Sequence, residues 1–321
     1  MQGLIVLFKK FLKTKTMYKY KLLLSYFLIV AVPLIIMTGF LYQISVANIQ
    51  KEIENSTMFK LTQLRNSLDL RIKEMEDLAM RINIDRKLTP YNMSSNEYKR
   101  LEGFEQLGMY KSQNAFIDDC FLYLKNTKTV YSSWGQSSIT TLARYSYKYT
   151  GKEETEFLDE VNELKVPKFR CPEKVDLGNS DAELITYLYP ISYGNYDPYG
   201  VVIYFIRKYN FESMIRNLIG YLEGSILILD GNKDVLVSDS RSFLLAKEDM
   251  DFIKSLDRTG IMDIKLGGKD VSLIVETSDI TGLTFAFAMP KSQFFKQLIN
   301  VKTLIVEAFL IIFAFGAVLA L

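Results

Sequence analysis

The sequence predicts an α+β protein: two tandem α+β modules behind one long helix, flanked by two apolar segments of membrane-spanning length. Three observations carry this. An uncharged stretch runs from Leu22 to Gln50, an apolar stripe at helical spacing follows it, and two batches of strand patterns fill the remainder. Its 321 residues are 49% hydrophobic with only 17 Gly and 7 Pro, which excludes disordered and collagen-like classes.

Composition narrows the chemistry by subtraction. The chain has no histidine, which removes His general bases, His-dependent nucleophile triads and His-ligated zinc or haem. Its two cysteines, Cys120 and Cys171, cannot build a zinc ribbon or an iron–sulfur site unaided. No catalytic constellation, metal site or cofactor is expected. Asp118 and Asp119 are adjacent in a strand pattern, so they point to opposite faces and read as solvated positions, not a paired-carboxylate site. Asp230-Gly231-Asn232-Lys233 starts like a calcium loop but lacks the later bidentate glutamate, and reads as a hairpin turn.

Residues 1–21 hold six lysines and no acid, a basic cytoplasmic N-terminus. Residues 22–44 form the first predicted transmembrane helix, long enough for the ~20 residues that a ~30 Å hydrocarbon layer requires. Pro33 is tolerable in such a helix. A cleaved signal peptide ending at Ser45-Val46-Ala47 is the alternative, against which stands an apolar stretch longer than the usual ~7–15 residues. Met17 is an alternative start that leaves Lys19 and Lys21 to orient the span. At the other end, residues 301–321 contain Glu307 and then fourteen uncharged residues, a second, truncated span. The lysines place residues 46–300 outside the plasma membrane. Between 22 and 300 there are 32 basic and 36 acidic residues, a net charge of −4 that gives no footing for nucleic acid.

Residues 46–83 predict a long stalk helix, about 55 Å at ~1.5 Å per residue. Leu61, Leu64, Leu68, Ile72, Met75, Ala79 and Ile82 form one stripe, which suits packing on the chain's own domain and pairing in a homodimer. A membrane-distal module follows over 84–209, with helices near 97–113 and 153–164 and strands near 116–124, 129–133, 183–192 and 200–207. A connecting helix over 210–220 leads to a membrane-proximal module over 221–300, with strands near 225–229, 235–238, 262–266, 271–277 and 283–289. LYLKNTKTVYSS (122–133) aligns with LILDGNKDVLVS (227–238), with five identical pairs that include Lys128/Lys233. This favours one plan used twice.

From 46 to 300 the chain resembles the double Cache sensor domain, in which two PAS-like modules follow a long helix from the membrane. TYLYPISYGNYDPYGVVIYFI (186–206), a helix, and SILILDGNKDVLVSDS (225–240) carry the resemblance. LLLSYFLIVAVPLIIMTGFLYQ (22–43) and NAFIDDCFLYLKNTKTVYSS (114–133) are similar to membrane-anchored AraC-type transcription regulators. Related sensor histidine kinases share the architecture. The resemblance implies a small extracytoplasmic ligand in the distal module, and contact with DNA only through a C-terminal domain absent from these residues. Amino-acid-binding members carry an Arg-x-Trp-aromatic element, from which SSWGQS around Trp134 departs.

The candidate ligand-binding residues are Tyr123, Tyr131, Trp134, Tyr187, Tyr189 and Asp197. Tyr187 and Tyr189 share one face of a strand, and tyrosine rings with polar tips suit a sugar-like ligand. Ordinary half-buried sheet positions are the competing reading for each tyrosine. Cys120 and Cys171 are open to two readings, an extracytoplasmic disulfide or a buried thiol at Cys120.

Overall fold

The structure, a computed structural model, describes residues 17–149, 154–176, 181–194, 196–220, 223–240, 243–256 and 258–292, with Glu307. The chain divides into two compact units, residues 1–55 with 291–321 and residues 56–290. Helix α1 (Met17–Ile84) covers both predicted helical segments without a break and contains Pro33. In the first unit Leu28, Ile29, Val32, Ile35, Ile36, Met37, Phe40 and Ile44 are exposed on it. Among the described residues no helix is long and apolar enough to cross a membrane. Several side chains of the expected span at 22–44, and all of that at 301–321 except Glu307, lie outside the described residues.

In the second unit the stripe from Leu61 to Ile82 is buried throughout, at 0–1% exposure for each of its seven members. Fully burying one leucine contributes about 1.5–3 kcal/mol, so this face is committed within the chain. The rest of the unit is two antiparallel sheets. The distal sheet contains β1 (Asp119–Leu124), β2 (Thr129–Ser132), β3 (Gly135–Ser138), β4 (Lys148–Tyr149), β5 (Lys168–Asp176), β6 (Asp181–Ile191) and β7 (Gly200–Arg207). Helices α2 (Glu97–Ser112) and α3 (Glu154–Glu163) belong to this module. Helix α4 (Lys208–Ile219) ends at Gly220, whose φ of 65° favours glycine. The proximal sheet contains β8 (Ser225–Leu229), β9 (Val235–Ser240), β10 (Gly260–Leu266), β11 (Lys269–Thr277) and β12 (Thr284–Pro290), with α5 (Lys247–Lys254) between β9 and β10.

Strand order is β3-β2-β1-β7-β6-β5-β4 in the distal sheet and β10-β11-β12-β8-β9 in the proximal one. Without β3 and β4 at its edges, the distal order is the proximal order read in reverse, so both modules share one topology. The hairpins repeat a backbone detail as well. Among the described residues, the non-glycine positions with positive φ are Lys128 (54°) and Lys233 (65°), the matched lysines of the internal repeat. The Asp230 carboxylate organises its turn by accepting from the amides of Asn232 (2.9 Å) and Asp234 (2.7 Å). This is an Asx turn, as its sequence suggests. Gly200 permits a close approach of β7 to β1, since an added Cβ would lie 2.6 Å from the Tyr123 carbonyl oxygen.

No disulfide joins Cys120 to Cys171. Cys120 is on β1 and Cys171 on β5, with β7 and β6 between them. Three strand spacings of ~4.8 Å exceed the ~7 Å limit that a disulfide sets on its Cα atoms. Burial pushes the Cys120 thiol up to about 12, and Asp119 adds to the shift. At pH 8 its thiolate fraction is about one in ten thousand, against about a quarter for an ordinary thiol. Alkylation of the native chain at pH 8 is expected to label Cys171 and to spare Cys120 until denaturant is added. Equal labelling rates in the native state would refute this placement.

Candidate functional site

Register assigns every distal residue to a face. Tyr123 pairs with Val130 and Val201, whereas Tyr131 pairs with Leu122, so the two tyrosines point to opposite sides. The face toward α1 and α2 carries Tyr131, Tyr187 and Tyr204. Tyr131 packs on Phe104 of α2 at 6.5 Å. Tyr187 donates to Glu76 of α1 (2.7 Å), and Tyr204 donates to the Met75 carbonyl (2.8 Å). Burial raises the Tyr187 pKa, with Glu76 adding to it, so its hydroxyl stays a donor. Tyr187 and Tyr204 dock the stalk helix, and Tyr131 packs on α2. They do not line an open site.

The opposite face, under α3, is aromatic. Tyr147 stacks on Phe205 at 4.1 Å and 8° between planes. Phe121 stands edge-on to both, at 5.4 Å and 5.5 Å, and Trp134 stands edge-on to Phe121 at 5.7 Å. Each such pair contributes ~0.5–1.5 kcal/mol beyond burial, so the four rings form one cage. Trp134 is its exposed rim, at 56%. The polar end is Asp119, which accepts from the Tyr147 hydroxyl and from Lys111 at 2.6 Å. Asp119 is therefore not a solvated position, because a strand residue beside the C-terminal turn of α2 meets that helix's lysine. Asp118, just before β1, pairs with Arg207 (2.8 Å).

Tyr123 lies deeper on the same face, fully buried and donating to Asn162 at 2.7 Å. Three strands away, Arg170 of β5 is buried between Glu160 of α3 and Glu173, and lies 5.1 Å from the Phe157 ring. Lys168 also pairs with Glu160, at 2.5 Å. This cluster ties α3 down over the cage. Sequence reasoning missed Phe121, Tyr147, Phe205, Asp119 and Arg170. A signal existed for Phe205, which lies in a strand apolar on both faces, but none distinguished it from core.

Tyr189 and Asp197 come together elsewhere, in a cleft of about 350 Å³ at the end of β6. Of the six expected ligand residues, then, Tyr123 is core, Tyr131 and Tyr187 dock helices, Trp134 rims the cage, and Tyr189 with Asp197 line the cleft. Among the described residues no group of acidic or cysteine side chains could hold a metal ion.

No family model and no curated protein matches the sequence. Solved structures do match the fold. The periplasmic sensory domain of the Campylobacter jejuni chemoreceptor Tlp1 matches at TM-score 0.55 and 14% identity, over 77% of this chain and 98% of that one. The extracellular domain of the histidine kinase candidate soHK1S-Z6 matches at 0.53 and 14%, over 80% and 99%. The ligand-binding domain of Mlp24, solved with asparagine, matches at 0.50 and 12%, over 79% and 98%. Of one longer extracellular receptor chain, the match spans 39%. The chain thus has the double Cache-like fold of these sensory domains, a long N-terminal helix with two antiparallel sheets.

Proposed function

We propose that this chain is the extracytoplasmic input region of a membrane-anchored receptor, and that its distal module binds a small ligand. The aromatic cage carries this reading. It has an exposed tryptophan at its mouth, a carboxylate at its polar end, and a tyrosine that already occupies the space a planar ligand would take. Tyr147 caps the turn Leu142–Ser146, whose wide helical geometry is frequent at functional sites. A ligand with a ring and one hydrogen-bond donor would replace Tyr147 against Phe205 and Asp119. The role is binding and not catalysis, since Asp119, Glu160 and Glu173 are each committed to a cation.

Residues 22–44 and 301–321 would anchor the receptor in the plasma membrane, and the exposed apolar row on α1 supports the first anchor. Homodimer formation would use the outward face of α1, where Phe59, Leu70, Met80 and Ile84 are exposed, because the buried stripe is occupied. A kinase or chemoreceptor output is better supported than an AraC-type one. Input domains of both kinds share this fold, whereas the AraC reading, and any DNA contact through it, rests on sequence resemblance alone.

The test is a ligand panel against the full chain in lipid nanodiscs, read by melting temperature and Trp134 fluorescence. Asparagine, phenylalanine, tyramine and glucose are suitable probes. At a hundredfold excess over Kd the bound state gains about 2.7 kcal/mol, a shift of several degrees. A ring-bearing donor is expected to raise the melting temperature and change Trp134 emission, and Trp134→Ala to weaken its binding about tenfold. A flat response across the panel would count against the cage.

A further inference from the structure

We infer that the cleft at the end of β6 is a second binding site, separate from the cage, and that it takes a saccharide. Lys165 and Pro167 form one wall, and Tyr189, Ser192, Tyr196 and Asp197 the other, around about 350 Å³. None of these residues belongs to the cage. The volume is at the lower end of small-ligand sites.

Its chemistry selects among ligand classes. Lys165 Nζ and Asp197 Oδ1 are 3.8 Å apart, with 77% and 91% of their side chains exposed. Water screens charges this open, so a zwitterion or ion gains little by pairing with either. Lys125 stands behind them, its ammonium donating to the carbonyls of Asn162 (2.7 Å) and Leu164 (3.2 Å). Burial lowers its pKa, with Asp197 opposing the shift and Lys165 adding to it. What remains useful in an open cleft is ring contact and neutral hydrogen bonding. Tyr189 and Tyr196 offer faces for the C–H side of a sugar ring. Asp197 accepts hydroxyl protons, the Lys165 ammonium donates, and the Ser192 hydroxyl, which donates to the Gly194 carbonyl at 3.2 Å, accepts. A polyhydroxyl ring uses all of these at once, without having to desolvate a charge of its own.

The cleft is also wired to the stalk helix. The Ser192 carbonyl accepts from Asn83 of α1 at 2.9 Å, and Asn83 in turn accepts from Tyr199 at 2.8 Å. Tyr189 feels the charges of Glu76 and Asp77, which add to the rise that burial causes in its pKa. Occupancy of the cleft is therefore felt by the helix that serves the whole unit.

Maltose, N-acetylglucosamine and asparagine, titrated into the full chain in nanodiscs by saturation-transfer NMR, test this. Tyr196 and Asp197 are exposed, so Tyr196→Ala and Asp197→Asn leave the fold intact, which circular dichroism checks. Maltose or N-acetylglucosamine is expected to bind, each variant to weaken it about tenfold, and Trp134→Ala to leave it unchanged. Absence of saccharide binding would overturn the site. Binding lost in Trp134→Ala but kept in Tyr196→Ala would move the sugar to the cage. Asparagine displacing the sugar, with sensitivity to Lys165→Ala, would overturn the saccharide class. Failure here leaves Trp134-dependent binding at the cage untouched, and the reverse also holds.

Discussion

Arg170→Met is expected to destabilise the distal module by about 3–5 kcal/mol, the cost of breaking a buried ion pair from one side. The guanidinium is 3% exposed and is shared by Glu160 and Glu173, whose side chains are 16% and 9% exposed. Methionine fills much of the volume and retains packing on Phe157, so the loss reports the charge and not a cavity. Glu160 keeps Lys168 at 2.5 Å, whereas Glu173 loses the guanidinium that faces it at 3.3 Å. Urea unfolding followed by Trp134 fluorescence measures the change, because Trp134 is the chain's only tryptophan and packs on Phe121. Adding Glu173→Gln to Arg170→Met is expected to recover a large part of the stability. If the single and double variants melt alike, the cluster does not hold α3 in place.

Arg170 also shows where the sequence stops being readable. β7 and β8 coincide with their sequence-derived ranges, and most other strands agree within two or three residues, because apolar runs bounded by turn residues leave little choice. β5 was missed entirely. KFRCPEKVD places Pro172 and five charges where a strand should alternate cleanly. The structure accommodates them with a register shift between Arg170 and Glu173, which is where a sheet tolerates proline. β3, GQSS, is a polar edge strand with no apolar signal. At the candidate site, alternation correctly put Tyr187 and Tyr189 on one face. What no single sequence displays is pairing register between strands. That register sends Tyr123 and Tyr131 to opposite faces and brings Tyr147, from an irregular turn, against Phe205.

Asp69→Ala is expected to loosen the grip of α1 on the proximal module by about 2–4 kcal/mol. The Asp69 carboxylate is 6% exposed, and one of its oxygens accepts from both Ser278 (2.7 Å) and Thr281 (2.8 Å). Bonds to a charged acceptor contribute about 1.5–3 kcal/mol each, and their removal leaves two hydroxyl protons without this acceptor. Those hydroxyls do further work in the β11–β12 turn. Ser278 accepts from the amides of Ile280 and Thr281, both at 3.1 Å, and the turn closes through Ser278 N to the Leu283 carbonyl at 2.8 Å. Hydrogen exchange at residues 278–283 is therefore the local readout, expected to accelerate on the order of a hundredfold. Asp69→Asn keeps the accepting oxygen and removes the charge, so it should cost roughly half as much. The position matters because α1 carries separate polar links to each module: Asp69, with Thr62 bonded to Glu276 at 2.8 Å, to the proximal sheet, and Glu76 and Asn83 to the distal one. A ligand that moves the distal sheet acts on α1 at Glu76 and Asn83, and the proximal module feels it through Asp69. In Asp69→Ala, distal binding should persist while its effect on exchange at 278–283 disappears. Retention of that effect would show that the modules communicate through α4 instead.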